Sequence, residues 1–225
     1  MLTLPLLVVA VALVWLYDRG NPFYISPRIG FHGQPFRFIK IRTMIERASA
    51  SAVDTTIAGD PRVTPVGRWI RAMKLDELPQ LLHVLSGRMA MVGPRPNVPR
   101  EVALYTTEEQ GLLAVRPGIT DLASIVFVDL AQALGNVKDA NIAYRQLVRP
   151  WKSRLGLHYL RCASLANDLR IIGYTIAVLI ARRWTLRRIS SLLRRTGAPE
   201  ELCCFVLRNQ PLRPVPPPGA DAVVS

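Results

Sequence analysis

The sequence predicts a helix-rich α/β (α+β) fold, a single catalytic-size domain with short strands behind an apolar amino-terminal helix. Three observations lead there. The chain has 225 residues, half of them hydrophobic, which suits one cored domain with appendages and excludes a wholly disordered chain. Two segments carry apolar residues at helical spacing: Val66, Trp69, Ile70 and Met73, then Leu78, Leu81, Leu82 and Leu85. One short segment around Phe36, Phe38 and Ile41 interleaves apolar and basic side chains as a strand does.

The elements follow in order. Met1 to Leu16 holds no charge, and its apolar run closes on Tyr17-Asp18-Arg19-Gly20. A membrane-spanning helix needs roughly 20 apolar residues, so the run is short for a span. It also lacks the basic start and small-residue cleavage site of a signal peptide. Residues 1–19 therefore read as a helix that enters a membrane and leaves on the same side. Pro5 would supply the bend, although a proline there also starts a helix harmlessly. A turn at Gly30–Gly33 leads into the strand, with Arg37, Lys40 and Arg42 expected on its polar face. Small polar residues over 49–59 read as a loop.

Thr64 then stands as an N-cap with Pro65 in the first turn, and Arg68, Arg71 and Lys74 make a basic stripe along that helix. In the next segment Asp76 occupies an N-cap position, Pro79 the first turn, and His83 is expected on the exposed side. Adjacent carboxylates at a helix start commonly just satisfy backbone donors. The preceding cations make anion chemistry the sharper reading of Asp76 and Glu77. Further on, Pro94-Arg95-Pro96 holds one guanidinium on a stiff backbone, and Arg116-Pro117-Gly118 repeats an arginine beside a turn.

Charge narrows the partners. The chain carries 29 Lys and Arg against 16 Asp and Glu, a net +13. Residues 1–144 are nearly balanced at +3, whereas residues 145–195 hold 12 basic residues against Asp168 alone. Within 171–195, Ile176, Leu179, Ile180 and Trp184 alternate with arginines, the pattern of an amphipathic interfacial helix on anionic lipid. A nucleic-acid arm fits the charge equally well, and the apolar start argues against nucleic acid as a partner. Residues 196–225, rich in proline, read as a flexible tail outside the fold. Cys162, Cys203 and Cys204 are too few and too crowded for a disulfide framework, and His32, His83 and His158 are too scattered for a zinc site.

Taken as an ordered series, these residues resemble the bacterial sugar transferases, monotopic polyprenol-phosphate phosphoglycosyl transferases that begin glycan and exopolysaccharide synthesis. The similarity runs from about Pro5 to about Arg183. It includes Arg28-Ile29-Gly30, Lys40-Ile41-Arg42-Thr43-Met44, Asp60-Pro61-Arg62, Val66-Gly67-Arg68, Leu75-Asp76-Glu77-Leu78-Pro79-Gln80-Leu81, Val92-Gly93-Pro94-Arg95-Pro96, Arg116-Pro117-Gly118-Ile119-Thr120, and Tyr144, Pro150, Lys152, Tyr159 and Asp168. The resemblance implies transfer of a sugar 1-phosphate from a UDP-sugar to polyprenyl (undecaprenyl) phosphate, with release of UMP. It implies Asp76 as the nucleophile of a covalent phosphosugar intermediate, and Asp76 and Glu77 as ligands of Mg²⁺. Arg71 and Arg95 match the motif's phosphate-binding arginines, with Lys40, Arg42, Arg62 and Arg116 as weaker candidates. It places a catalytic domain over 20–170 on the cytoplasmic face of the bacterial inner membrane and leaves homo-oligomerisation open. The alternative is a catalytically inactive membrane-bound scaffold of the same build.

Several positions depart from the pattern. Arg88 stands where an acid is usual, Lys74 where Ser or Thr is common, and Asp121 where Gly is more usual. The Leu4-Pro5 pair aligns with a bend that follows a longer first arm in the family.

Overall fold

The apolar amino-terminal run forms α1 (Thr3–Asp18), uninterrupted, with Pro5 in its first turn, where a missing N–H leaves no bond unmade. The computed structural model describes residues 3–46, 56–57, 59–135, 137 and 139–224, with side chains from Pro5 onward; most of the loop expected over 49–59 lies outside them. The bend expected at Pro5 is not seen, and no described helix is long and apolar enough to cross a membrane. Because α1 is apolar on every side, one stripe can be buried while the rest stays bare. Ala10 and Val14 pack inward, and Leu6, Val8, Val9, Leu13 and Leu16 are exposed. Asp18 fastens the end of α1 by accepting hydrogen bonds of 2.7 and 2.6 Å from the Arg42 guanidinium.

Strands β1 (Phe23–Ile29) and β2 (Pro35–Ile41) form an antiparallel hairpin in which Tyr24 faces Lys40, Ser26 faces Phe38 and Arg28 faces Phe36. Side chains alternate along a strand, so Arg28, Phe36, Phe38 and Lys40 share one face. This corrects the expected polar face of Arg37, Lys40 and Arg42. Arg37 is exposed on the opposite face from Lys40, and Arg42 lies past the strand's end, turned to Asp18.

Helix α2 (Pro65–Ala72) begins as the sequence predicts: Thr64 Oγ1 accepts a 2.9 Å hydrogen bond from the Gly67 N–H, and Pro65 opens the first turn. Gly67 has no alternative, since a Cβ there would lie 2.0 Å from the Thr43 carbonyl oxygen. Lys74, in the left-handed region at φ 56°, ends the helix and starts a 3₁₀ turn over Leu75–Gln80, which continues into α3 (Leu81–Leu85). His83 is buried, contrary to expectation. Its Nε2 accepts a 3.2 Å hydrogen bond from the Ile39 N–H and its ring stacks on Phe38. The five-residue α3 is too short to sustain the apolar stripe expected over 78–85, so Leu82 and Leu85 are exposed instead.

A parallel pair, β3 (Ala90–Val92) and β4 (Gly118–Thr120), flanks the excursion that carries α4 (Pro99–Val102). Helices α5 (Leu122–Val126), α6 (Leu130–Leu134) and α7 (Ala140–Ala143) follow, then a π turn over Tyr144–Val148. The long helices α8 (Arg149–Cys162), α9 (Leu165–Ala177) and α10 (Arg182–Arg195) and the short α11 (Glu200–Phe205) complete the chain. Their main core contains Ile125, Val126, Leu155, Ile171, Ile189, Leu193 and Val206; a smaller one joins Ala10, Val14, Ile41, Ile70 and Leu75.

The carboxy-terminal residues, expected to lie outside the fold, pack into it. Leu202, Cys203 and Val206 are buried, and Phe205 stacks on Trp151 with ring centroids 3.8 Å apart. Val215 N–H donates to the Gln146 carbonyl (3.2 Å), Arg154 to that of Pro216 (3.0 Å) and Thr106 Oγ1 to that of Pro218 (2.5 Å). Proline has no N–H, so Pro217 and Pro218 are buried without stranding a donor. The basic segment is likewise partly internal: Arg149 pairs with buried Glu109, Arg145 with buried Glu101 and Arg182 with half-buried Asp129, whereas the pair of Arg194 with Glu200 is exposed.

Candidate active site

The Leu75–Gln80 turn presents Asp76 and Glu77 to the hairpin face that carries Lys40 and Arg28. The left-handed backbone at Lys74 makes this possible, because it redirects the chain so that the carboxylates open a new turn rather than continue α2. Asp76 therefore does not act as the N-cap its position suggests. The Lys74 residue occupies that place and makes no side-chain cap.

The two carboxylates are adjacent and differently held. Glu77 Oε2 accepts a 3.0 Å hydrogen bond from Arg95 Nη1, which also donates 2.6 Å to the Ile119 carbonyl. That second bond ties the Pro94-Arg95-Pro96 turn to β4. Asp76 is buried, and among the described residues no hydrogen bond reaches its carboxylate. Burial and the neighbouring negative charge of Glu77 push the Asp76 pKa up, against the pull of Lys40, Arg71 and Lys74. Burial works on Glu77 in the same sense, and the charges of Arg95 and Lys74 with the Arg95 hydrogen bond outweigh it, so Glu77 titrates below the ordinary glutamate range. One carboxylate is thus fixed as an anion, while its neighbour is poised nearer to neutrality.

The cations around them come from separate elements. Arg71, on α2, donates a 2.7 Å hydrogen bond to Thr43 Oγ1 and is buried enough to depress its own pKa despite Asp76 and Asp60 nearby. Lys40 is pushed down to about 8, chiefly by burial, with Arg71, Arg28 and Arg95 adding to the effect and Asp76 opposing it. Its Nζ lies 5.1 Å from the ring of cross-strand Tyr24. Lys152, on the first turn of α8, is also pushed down to about 8 by burial and by Arg95 and Arg28, with Asp121 opposing.

The fold thus brings Asp76, Glu77, Lys40, Arg71 and Arg95 together and leaves other expected residues outside. Arg42 is engaged with Asp18, and Arg62 pairs with Asp60 at 2.7 Å. Arg116 is exposed and makes no described contact with the carboxylates. Arg28, Lys152 and Asp121 join the cluster without having been singled out as site residues. Arg28 was findable, since the hairpin register puts it in line with Phe36, Phe38 and Lys40. Lys152 arrives through the π turn, which no local pattern announces. Asp121 caps α5, accepting a 2.6 Å hydrogen bond from the Ser124 N–H. A surface depression bounded by Ile25, Pro27, Pro35 and Arg37 lies on the outer side of the hairpin, and none of the clustered residues lines it.

No group of three or more His, Cys, Asp or Glu side chains suited to a metal occurs among the described residues. A hard divalent ion such as Mg²⁺ nonetheless fits Asp76 and Glu77. They are adjacent like charges, the first has no described donor, and Mg²⁺ commonly takes only one or two carboxylates beside substrate phosphates.

Residues 1–182 match the family described as Bacterial sugar transferase. The chain is 37% identical over 194 residues to the exopolysaccharide production protein ExoY of Sinorhizobium fredii, with 79% of each chain covered. It is 36% identical over 179 residues to the undecaprenyl-phosphate glucose phosphotransferase of Komagataeibacter xylinus, covering 76% of this chain and 32% of that one. A third relative, the UDP-glucose:undecaprenyl-phosphate glucose-1-phosphate transferase of Caulobacter vibrioides, is 34% identical over 179 residues, covering 78% of this chain and 63% of its own.

Proposed function

Because the chain belongs to the bacterial sugar transferase family, we propose that it transfers a sugar 1-phosphate from a UDP-sugar to undecaprenyl phosphate in the first membrane step of exopolysaccharide or glycan synthesis. The observation that carries this reading is the Asp76–Glu77 pair, divided in its ionisation and ringed by Lys40, Arg71 and Arg95. A carboxylate can attack an anionic diphosphate only where that charge is offset. The Asp76 carboxylate, unencumbered by hydrogen bonds, attacks the phosphorus bearing the sugar. The phosphorus–oxygen bond to the nucleotide breaks, and UMP departs with the electron pair. An oxygen of the lipid phosphate then attacks the same phosphorus and restores the carboxylate. Arg95, held by Glu77 and the Ile119 carbonyl, is preorganised to meet a phosphate oxygen, and Arg71 and Lys40 compensate charge on the nucleophile's side. Asp76 and Glu77 would hold Mg²⁺, which would supply further neutralisation of the diphosphate.

Exposed apolar side chains on α1, and exposed Leu169, Ile176, Ile180 and Trp184 near the arginines of α10, support a one-sided seat on a membrane, which this reading takes to be the cytoplasmic face of the inner membrane.

The test incubates membranes holding the full chain with Mg²⁺, undecaprenyl phosphate and a panel of UDP-sugars. Sugar-dependent UMP release is expected, together with a phosphosugar adduct on the Asp76 peptide by mass spectrometry. Asp76→Asn should abolish both. UMP release that survives this substitution overturns the nucleophile, and silence of the unmutated chain across the panel favours the inactive scaffold.

A further inference from the structure

We infer that the carboxy-terminal strap, residues 211–224, is a positioning device for Arg95: through Thr106 it holds the trailing side of the Pro94-Arg95-Pro96 turn. This rests on the transfer reaction proposed above and adds a control by residues beyond 182, where the family match ends.

The turn is anchored unevenly. On its leading side the Gly93 N–H donates to the Thr120 carbonyl (3.0 Å) and the Gly118 N–H to that of Pro94 (3.1 Å), which stitches it to β4. On its trailing side the chain runs out from Pro96 before returning to β4, and the helical structure there is only α4 and a 3₁₀ turn over Glu109–Ala114. Elements so short have little stability of their own, so their place depends on what they are tied to.

The ties form a connected series. The Asn97 carbonyl accepts from the Ile29 N–H (2.9 Å), and its side-chain amide donates to the Tyr105 hydroxyl (3.0 Å). The next residue, Thr106, accepts at Oγ1 from the Glu109 N–H (3.1 Å) and gives that hydroxyl's single proton to the Pro218 carbonyl (2.5 Å). Gly219 permits the approach: at φ 75° it passes Glu108, whose Cβ would lie 3.1 Å from an added Cβ. The strap is itself moored on Gln146, whose carbonyl accepts from the Val215 N–H (3.2 Å) and whose side-chain amide donates to the Val224 carbonyl (2.8 Å). Neighbouring Arg145 pairs with Glu101 of α4 at 2.8 Å. One segment thus closes over both the excursion and the π turn behind it. Arg95, 3.0 Å from Glu77, stands two residues before Asn97, so slack at Asn97 loosens the guanidinium that is to meet a phosphate oxygen.

The experiment uses the full chain in nanodiscs with Mg²⁺ and compares Gly219→Val, which lifts the strap, with Thr106→Val, which removes its hydrogen bond. Amide hydrogen exchange over residues 97–106 should quicken at least about threefold in both, with exchange in α2 unchanged. In UMP release, kcat should fall about fivefold, the effect of one hydrogen bond, with the KM of the UDP-sugar held within about twofold. In an Arg95→Lys background the same substitutions should lower kcat by less than about twofold, because the guanidinium through which the strap acts is gone. Exchange that is unaltered, or that quickens throughout the chain, overturns the inference, and so does an equal fall in kcat with and without Arg95. Absence of transfer in the unmutated chain would instead sink the proposed reaction, and the exchange measurement would still decide whether the strap holds this turn.

Discussion

Lys40 is where folding and chemistry pull apart. Its ammonium sits between the aromatic face of the hairpin and Asp76, and burial holds its pKa at about 8 against 10.5 in an open chain. Between these values the unfolded chain binds more protons than the folded one, so stability rises with pH across that window, and the penalty is fully present below pH 8. Lys40→Met should therefore stabilise the protein at pH 7 by on the order of 2 kcal/mol, flatten part of that rise, and depress transfer. Thermal unfolding at pH 7 and pH 10 beside a UMP-release assay checks all three, and a destabilised variant would contradict the buried charge. The Asp76–Glu77 pair was legible because its type, spacing and preceding cations lie in one stretch of sequence. Arg28 lies 48 residues from Asp76, and only strand pairing brings it into line with Lys40.

The turn at Leu75–Gln80 shows how an element differs from the helix its apolar spacing announces. Leucines at 78, 81, 82 and 85 suggest one continuous stripe, yet left-handed Lys74 and Pro79 shape a 3₁₀ turn that delivers two carboxylates together. Periodicity reports which residues are apolar, and it cannot report where a five-residue helix stops. The carboxy-terminal strap is the converse: its prolines suggested a free tail, yet Pro217 and Pro218 are buried where a residue with an N–H would strand a donor. Truncation after Arg195 should uncover Trp151 and the pocket of Phe205 and lower the melting temperature by several degrees. Unchanged melting, read by circular dichroism, would mean the strap adds nothing to the fold.

At the scale of the molecule, the excess charge divides by location. Arg145, Arg149 and Arg182 are spent on internal acids, whereas Arg183, Arg187 and Arg188 are exposed near Trp184 and Ile180. The composition gave the total, and only the fold separates the two uses. Charge reversal by Arg183→Glu, Arg187→Glu and Arg188→Glu together should weaken flotation with phosphatidylglycerol vesicles by about a hundredfold, while binding to neutral vesicles is retained. Equal binding to anionic vesicles would remove the lipid role of α10. The smaller core has a further consequence. Ala10 and Val14 of α1 pack with Ile41, Ile70 and Leu75, the residue next to Asp76, and Asp18 clasps the far end of β2. The bare helix and the neighbour of the proposed nucleophile belong to one packed cluster, so under the membrane seat proposed above the draught at which α1 floats would set the height of Asp76 above the acyl chains. A carrier whose phosphate rides at another level would be passed over by altitude alone, before any contact with its head group could tell it apart.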